Sequence, residues 1–299
     1  MRKFRKLPVP QLPGHIWAAA SVLALIVLSV LLAGWIAPYP PAEQDLASRL
    51  AAPSGTHWLG TDHLGRDTVS RLLDGGRFSL TIAALATVLT AVIGTAVGVL
   101  SARRRGWLDE FFTRTSDILL AMPEMVVALF LVAALGAGYP SLLLALTVTG
   151  WTPFARLARA LAYDVNARGF IEAARVLGCP PWFIILRHIL PHLSGPLLGQ
   201  ATLRFGQFLI SVGALSYLGL GVQPPQSDWG SMLAAAQPYA VRSPMTILAP
   251  GVVIFTVALC VSLIGQHLAR MSSSRLLLAT SAGPAPAPSP SPGPAVSNV

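Results

Sequence analysis

Long apolar stretches alternate with polar segments rich in proline, glycine and arginine along most of the chain. Six of these stretches approach the roughly 20 residues that an α-helix needs to cross a bilayer, so we predict a membrane-spanning helix in each. Proline predicts bends at Pro123 in the third span and at Pro250 in the sixth. The predicted spans are residues 16–36, 79–101, 118–135, 142–161, 196–220 and 246–268. The pattern therefore predicts an all-α polytopic membrane protein of about six transmembrane helices.

The polar segments divide the chain further. The last of them is rich in proline, alanine and serine, a composition typical of disorder. The predicted divisions are a basic tail (1–14), a first transmembrane helix (15–37), an outer loop (38–78), a five-helix core (79–268) with a polar segment inside it (163–195), and a disordered tail (269–299).

Composition supports a membrane protein. The chain is 54% hydrophobic and 11% charged, with a mean hydropathy of +0.63, whereas soluble domains carry about 25% charged residues. The net charge of +9 could suggest a nucleic-acid partner. However, lysine and arginine concentrate in short segments beside the spans. The segments predicted to be inside carry three times as many of them as the outer loops, which predicts cytoplasmic termini and an external 38–78 loop.

The polar segment between the fourth and fifth spans predicts a helix, a turn and a second helix. Gly178 can adopt the left-handed conformation that ends a helix, and Pro181 is suited to open the next one. We predict that this second helix ends at Pro191. The first helix carries a narrow apolar stripe that would let another protein approach closely, formed by Phe170, Ala173, Ala174 and Leu177.

This segment resembles the EAA loop of bacterial ABC importer permeases. In that family the loop forms a cytoplasmic coupling helix that docks on a separate ATPase subunit. The general pattern has isoleucine where this chain has His188, and the run that includes His188 resembles the peptide and nickel subclass. The alternative is a surface loop of an unrelated membrane protein. The resemblance implies ATPase-coupling roles for Glu172, Ala173, Ala174, Gly178, Leu190 and Pro191.

Two further blocks resemble the same subclass. Residues 59–67 are similar to its N-terminal signature, and residues 214–230 to its signature near the outer end of the fifth span. In the first block, Gly60 and Gly65 permit tight turns, while Asp62, Arg66 and Asp67 can bond to neighbouring groups. A structural, external turn is our interpretation. The alternative is a catalytic cluster of His57 and His63 with Asp62.

The fifth span carries polar residues on one helix face. Their spacings of four, three and four place Gln200, Arg204, Gln207 and Ser211 together. A charge within a span usually faces protein or a water-filled path. We therefore predict that this face lines the transport pathway or contacts a partner permease. Alternatively, Arg204 extends to the inner membrane surface. Val212 stands where the family often has an acidic residue.

The sequence contains no G-x-x-x-x-G-K-[ST] motif, so we expect no ATP hydrolysis by this chain, no enzymatic site, no cofactor and no metal. The resemblance implies a type I ABC importer-like fold and an inner-membrane permease for peptides, nickel or similar solutes. It also implies two ATPase subunits, a second permease and an external solute-binding protein as partners. The sequence after Gly265 departs from the family pattern.

Two rival functions remain open at this point. A secondary transporter driven by an ion gradient would need a relay of ionisable groups in mid-membrane, and Glu124 is the acidic candidate, near the end of its span. An intramembrane enzyme could use His188 and His192 as metal ligands, although Pro191 interrupts their spacing.

Overall fold

The computed structural model describes residues 13–103 and 106–281. Most of the predicted basic tail, and residues 282–299 of the predicted disordered tail, lie outside these ranges. The described residues form helices joined by loops, with no β-strand beyond one isolated bridge between Thr61 and Asp67. The all-α prediction is confirmed.

Twelve α-helices are named here in chain order. They are α1 (Gly14–Leu31), α2 (Ala33–Ile36), α3 (Thr68–Arg103), α4 (Trp107–Ala121), α5 (Glu124–Leu135), α6 (Tyr139–Gly150), α7 (Thr152–Asn166), α8 (Gly169–Val176), α9 (Pro181–Ile184), α10 (Leu190–Tyr217), α11 (Trp229–Ala236) and α12 (Pro244–Ser281). A π-helical turn, Ile185–Ile189, joins α9 to α10, and short 3₁₀ turns lie at Leu46–Ser48 and Gln237–Tyr239.

Within the described ranges, three helical stretches are long and apolar enough to cross a bilayer by themselves: α1, α3 and residues Pro244–Met271 of α12. A fourth crossing is added if α4 and α5, which meet at 93°, count as one broken span. The count of six spans remains a prediction.

Two of the predicted spans are broken at proline. Met122 and Pro123 are extended between α4 and α5, because proline cannot donate the helical hydrogen bond and restricts the residue before it. The predicted bend at Pro123 is therefore a full break. The predicted fourth span is divided at Trp151, since Pro153 occupies the first turn of α7. In contrast, α12 continues through Pro250 without a break.

Three helical elements extend past the predicted boundaries. Helix α3 begins at Thr68 rather than at residue 79, because Asp67 accepts a hydrogen bond from the Ser70 amide, and Gly75 packs closely on the Asp228 backbone. The second helix of the polar segment continues through Pro191 into α10, because the π turn already lacks regular i→i−4 bonding there. Residues 269–281 are helical, since neither proline nor glycine occurs between Gly265 and Gly283.

The buried side chains form two clusters. The first core joins α3, α5, α6, α10, α11 and α12 around the fully buried Phe208 and Trp229. The second core lies around Ile171 and Leu193 and joins the end of α3 to α7, α8 and the start of α10. The second core therefore holds the polar segment against the helices that precede and follow it.

Glycines allow α3 and α7 to pack closely. A Cβ atom at Gly94 would lie 2.4 Å from the Trp151 carbonyl oxygen, and one at Gly98 would lie 2.3 Å from the Ala155 carbonyl oxygen. Neither position has room for a side chain. The G-x-x-x-G pair in the second predicted span therefore serves close helix packing, as such pairs commonly do in membranes.

Candidate functional site

The segment that resembles a coupling loop forms the predicted helix and glycine turn. Helix α8 ends at Gly178, whose φ is +76°. The Cys179 amide donates to the Ala174 carbonyl at 3.0 Å, and the Gly178 amide donates to the Arg175 carbonyl at 3.0 Å. This pair of bonds is a Schellman C-cap, which satisfies the last carbonyls of the helix. A Cβ atom at Gly178 would meet nothing within 4 Å, so only the backbone conformation favours glycine there.

One face of α8 is buried and the other is exposed. Ile171 and Ala174 pack in the second core, with 0% and 7% exposure. Glu172, Ala173 and Gly178 are exposed, while Val176 and Leu177 are 83% and 82% exposed. The Ala174 side chain therefore packs within the chain, and its coupling role stays a prediction. The exposed apolar surface comprises Ala173, Val176 and Leu177.

Three other residues complete this segment. Arg175 donates to the Asn166 Oδ1 atom at 3.0 Å. Leu190 is half-buried and Pro191 is exposed, both within the first turn of α10. Their positions continue α9 and the π-helical turn directly into α10, without a second turn.

Aromatic contacts also join α8 to α10. The Phe170 ring stacks on the His192 ring, with centroids 5.4 Å apart, and lies 6.2 Å from the His188 ring. The His192 Nδ1 atom lies 2.6 Å from the His188 carbonyl oxygen, so this nitrogen carries the proton and donates. A displacement of α8 would therefore press on the first turn of α10.

Arg204 is the centre of a polar cluster inside the helical bundle. It is 7% exposed, and its guanidinium makes a bidentate ion pair with Glu124, with N–O distances of 3.0 and 3.1 Å. Nη1 also donates to the Gln207 Oε1 atom at 2.9 Å, and the guanidinium lies 4.9 Å from the centre of the Phe208 ring. The Arg204 side chain is therefore buried and paired within the bundle.

The cluster joins three helices. Glu124 is the first residue of α5, directly after the break at Pro123. The Gly150 carbonyl, at the end of α6, accepts a long 3.5 Å contact from Arg204 Nη2. The other members of the predicted polar face lie nearby on α10: Gln207 is exposed, while Gln200 and Ser211 are half-buried. One guanidinium thus holds α5, α6 and α10 together.

The predicted outer turn forms around Asp62. Its Oδ1 accepts from the amides of Leu64 and Arg66, at 2.8 and 3.0 Å, while its Oδ2 accepts from the guanidinium groups of Arg66 and Arg71. Burial raises the pKa of Asp62, but the two arginines and the amide donors outweigh that effect and hold it below its usual 3.8. The carboxylate is therefore a fixed structural anchor.

Glycine is required in this turn. Gly60 and Gly65 have φ of +75° and +76°, which other residues rarely adopt. A Cβ atom at Gly65 would lie 1.7 Å from the Asp45 carbonyl oxygen. Asp67 caps α3 by accepting from the Ser70 amide and hydroxyl at 2.8 and 2.9 Å. The predicted turn geometry is confirmed.

The second signature block packs against the start of α3. Asp228 caps α11 by accepting from the Gly230 and Ser231 amides, and the Trp229 indole donates to the Leu72 carbonyl at 2.8 Å. Burial raises the pKa of Asp228 above 3.8 despite these bonds. The second block therefore packs on the first turns of the helix that Asp67 of the first block caps.

The alternative chemical sites do not assemble as proposed. His57 pairs with Asp67 at 3.0 Å, whereas His63 stacks on Tyr239 with ring centres 5.6 Å apart. His188 and His192 contact Phe170 instead of sharing a third ligand. Within residues 13–103 and 106–281, no group of three or more His, Cys, Asp or Glu side chains is placed to hold a metal ion.

Sequence reasoning missed the Glu124–Arg204 pair. The two residues are 80 positions apart, so no local pattern connects them. The available signal was that both are ionisable groups within apolar segments, where such groups usually pair with one another.

Comparison with known families agrees with these features. The model described as "Binding-protein-dependent transport system inner membrane component" matches residues 94–273. The model described as "N-terminal TM domain of oligopeptide transport permease C" matches residues 16–53. Together they include the segment from α8 to the first turn of α10, the polar face of α10 and most of α1.

Curated relatives match along most of their length. The chain is 38% identical over 252 residues to the glutathione transport system permease protein GsiD of Escherichia coli, covering 84% of this chain and 83% of the relative. It is 35% identical over 256 residues to GsiD of Pectobacterium atrosepticum, covering 85% of each. It is also 35% identical to the nickel transport system permease protein NikC of Escherichia coli, covering 84% and 90%.

The fold is also similar to a solved transporter. A chain of the inward-facing MetNI methionine ABC transporter superposes with a TM-score of 0.56 at 18% identity, covering 68% of this chain and 97% of the other. At this identity the likeness concerns the fold alone, and it supports the type I importer-like architecture.

Proposed function

Since the chain belongs to the family of inner-membrane components of binding-protein-dependent transport systems, we propose that it is the permease subunit of an ABC importer for peptides, nickel or similar small solutes. The observation that carries this proposal is similarity over more than four-fifths of the chain to permeases named for glutathione and nickel transport. The solute is selected by an external binding protein, so the permease need only admit a class of small polar solutes.

The proposed partners are two ATPase subunits, a second permease and a solute-binding protein. The exposed face of α8 supports an ATPase partner, because Val176 and Leu177 present more than four-fifths of their surface next to the charged Glu172. Exposed apolar patches rimmed by polar groups typically mark interaction sites. We place the protein in the inner membrane with both termini cytoplasmic, so that α8 faces the cytoplasm.

Coupling would proceed from α8 into α10. Closure of the ATPase pair displaces α8, and the second core moves with it because Ile171 and Ala174 are buried there. The Phe170–His192 stack transmits the displacement to the first turn of α10. Three turns further along, Arg204 holds α5 and α6, so the movement reorients several helices around the pathway.

The polar face of α10 would line that pathway or contact the second permease. Gln207 is exposed although it lies within an apolar helix, and Gln200 and Ser211 are half-buried on the same face. Arg204 would fix the face in place, while the other three groups offer uncharged hydrogen-bonding atoms to a passing solute.

The test of coupling uses Ala173→Trp. The expected result is normal insertion but loss of the co-purifying ATPase, because the bulk projects from the exposed face of α8. Ala42→Trp, an equal change on the exposed outer loop, is the matched control and should retain the ATPase. If Ala173→Trp keeps the ATPase and transports normally, α8 is not the coupling element.

A second experiment tests the energy source and separates this function from an ion-driven transporter. Reconstituted transport should require ATP together with the co-purified ATPase and should persist when ionophores collapse all ion gradients. Transport that stops with the gradients but continues without ATP would overturn the proposed function.

Orientation is tested with single cysteines in a Cys179→Ser/Cys260→Ser background. Thr56→Cys lies on an exposed part of the outer loop, and Ala167→Cys lies on an exposed turn before α8. An impermeant thiol reagent should label Thr56→Cys in intact cells and Ala167→Cys only after cell opening. The reverse pattern would refute the proposed topology.

A further inference from the structure

A small cavity lies between the outer turn and the last two helices. Asp62, Thr68 and Arg71 line one side, and Met232, Tyr239 and Thr246 line the other. The space available to the centre of a water-sized sphere is about 10 Å³. By that measure a cavity needs roughly 10–15 Å³ to hold one water molecule. The cavity therefore fits a single water-sized occupant.

Two polar atoms of the lining lack a partner within the described part of the protein. They are the Nε atom of Arg71 and the Oγ1 atom of Thr68, both buried. Arg71 is 5% exposed and Thr68 is 2% exposed. The other end of the Arg71 guanidinium is occupied, since Nη1 donates to Asp62. Leaving a buried donor of a charged group unsatisfied is costly, so these two atoms favour a polar partner in the cavity.

The chemistry of the lining selects the ligand. Arginine only donates hydrogen bonds, whereas a threonine hydroxyl both donates and accepts. The Asp62 carboxylate disfavours an anion in the cavity, and the Arg71 guanidinium disfavours a cation. A neutral molecule with both donor and acceptor capacity satisfies every group. We propose that this cavity holds one ordered water, which accepts from Arg71 Nε–H and bonds to Thr68 Oγ1.

The cavity lies between two parts of the protein. Thr68 and Arg71, the proposed partners of the water, belong to the first turn of α3, and Tyr239 and Thr246 flank the connection between α11 and α12. The His63–Tyr239 stack joins these two parts, with ring planes 9° apart. The water would therefore satisfy the first turn of α3, while the ring stack closes the cavity.

An experimental map of the assembled transporter in bromide buffer tests the occupant directly. The expected result is a density peak about 2.7–3.2 Å from both Arg71 Nε and Thr68 Oγ1, without an anomalous bromide signal. An empty cavity, or a peak that carries the bromide signal, would overturn the proposal.

A pair of variants tests the energetic role. Thr68→Val removes the hydroxyl but keeps the branched shape, and should lower Tm by about 2–4 °C, because the water loses a partner. Thr152→Val is the matched control: its hydroxyl is also buried and has no partner among the described residues, but Thr152 does not line this cavity. Its Tm should stay the same or rise, since an unsatisfied hydroxyl is removed.

Equal Tm shifts in the two variants would contradict the proposal. If Thr68→Val does not insert in the membrane, the map of the unaltered protein still decides the question.

Discussion

Removing one partner of the Glu124–Arg204 pair should destabilise the protein unequally from the two sides. Arg204 has 8% side-chain exposure and Glu124 has 36%. Glu124→Leu leaves a buried guanidinium without its counter-charge, whereas Arg204→Leu leaves a carboxylate that water can partly solvate. Breaking a fully buried pair costs about 3–5 kcal/mol. Screening at Glu124 reduces the expected loss to about 2–3 kcal/mol for Glu124→Leu, and Arg204→Leu should cost less.

The assay is thermal unfolding of the purified single variants and of the Glu124→Leu/Arg204→Leu double variant. The Glu124→Leu loss corresponds to a Tm decrease of about 4–10 °C. The double variant should recover at least half of it, because no unpaired charge remains. Additive losses in this cycle would refute a direct interaction between the two groups. Transport is measured in parallel: Arg204→Leu should insert normally yet transport poorly.

Further predictions concern the outer surface and the glycine turns. Gly65→Ala should disrupt the outer turn and lower Tm far more than Gly178→Ala, which should cost about 1 kcal/mol. Of the two new methyl groups, only the one at Gly65 would collide with the backbone. Similar Tm values for the two variants would contradict this prediction. Burial raises the pKa of the Asp228 carboxyl above 3.8. Between pH 3.8 and the raised pKa, the folded state therefore keeps a proton that the unfolded state releases. The stability of the protein should fall as pH rises from about 3.8 through the raised pKa. Asp228→Asn keeps the helix cap and should abolish that pH dependence, measured as Tm from pH 4 upward; an unchanged profile would exclude Asp228 as its source. Phe170→Leu should leave the ATPase bound but reduce transport per ATP hydrolysed, since the ring contact with His192 is lost, and an unchanged ratio would argue against transmission through this stack.

Local chemistry allowed part of this structure to be predicted. Gly178 ends its helix in the left-handed conformation, and Gly60 and Gly65 form the outer turn, because each of these features depends on a few neighbouring residues. The close packing of α3 at Gly94 and Gly98 could be predicted in the same way, since such packing requires small residues at that spacing.

The features that were missed depend on distant residues. Helix α3 extends eleven residues before the predicted span, and Gly76 in that extension packs on Val30 and Trp229, contacts that the local sequence does not specify. Ala174 belongs to a core that α3, α7 and α10 complete. The stripe of small residues on α8 alone therefore could not show which face of that helix is buried. The Arg204 contacts also needed the folded arrangement of α5 and α6.

Helix α3 carries a constraint on how this chain can change in length. Gly76 contacts α1 and α11 near its outer end, and Gly94 contacts α7 farther along. At 3.6 residues per turn their separation equals five whole turns, so both glycines point to the same side of one continuous helix. Inserting or deleting a single residue between them would rotate one contact by about 100° relative to the other. Natural relatives that keep both contacts should therefore show no single-residue gaps between these glycines.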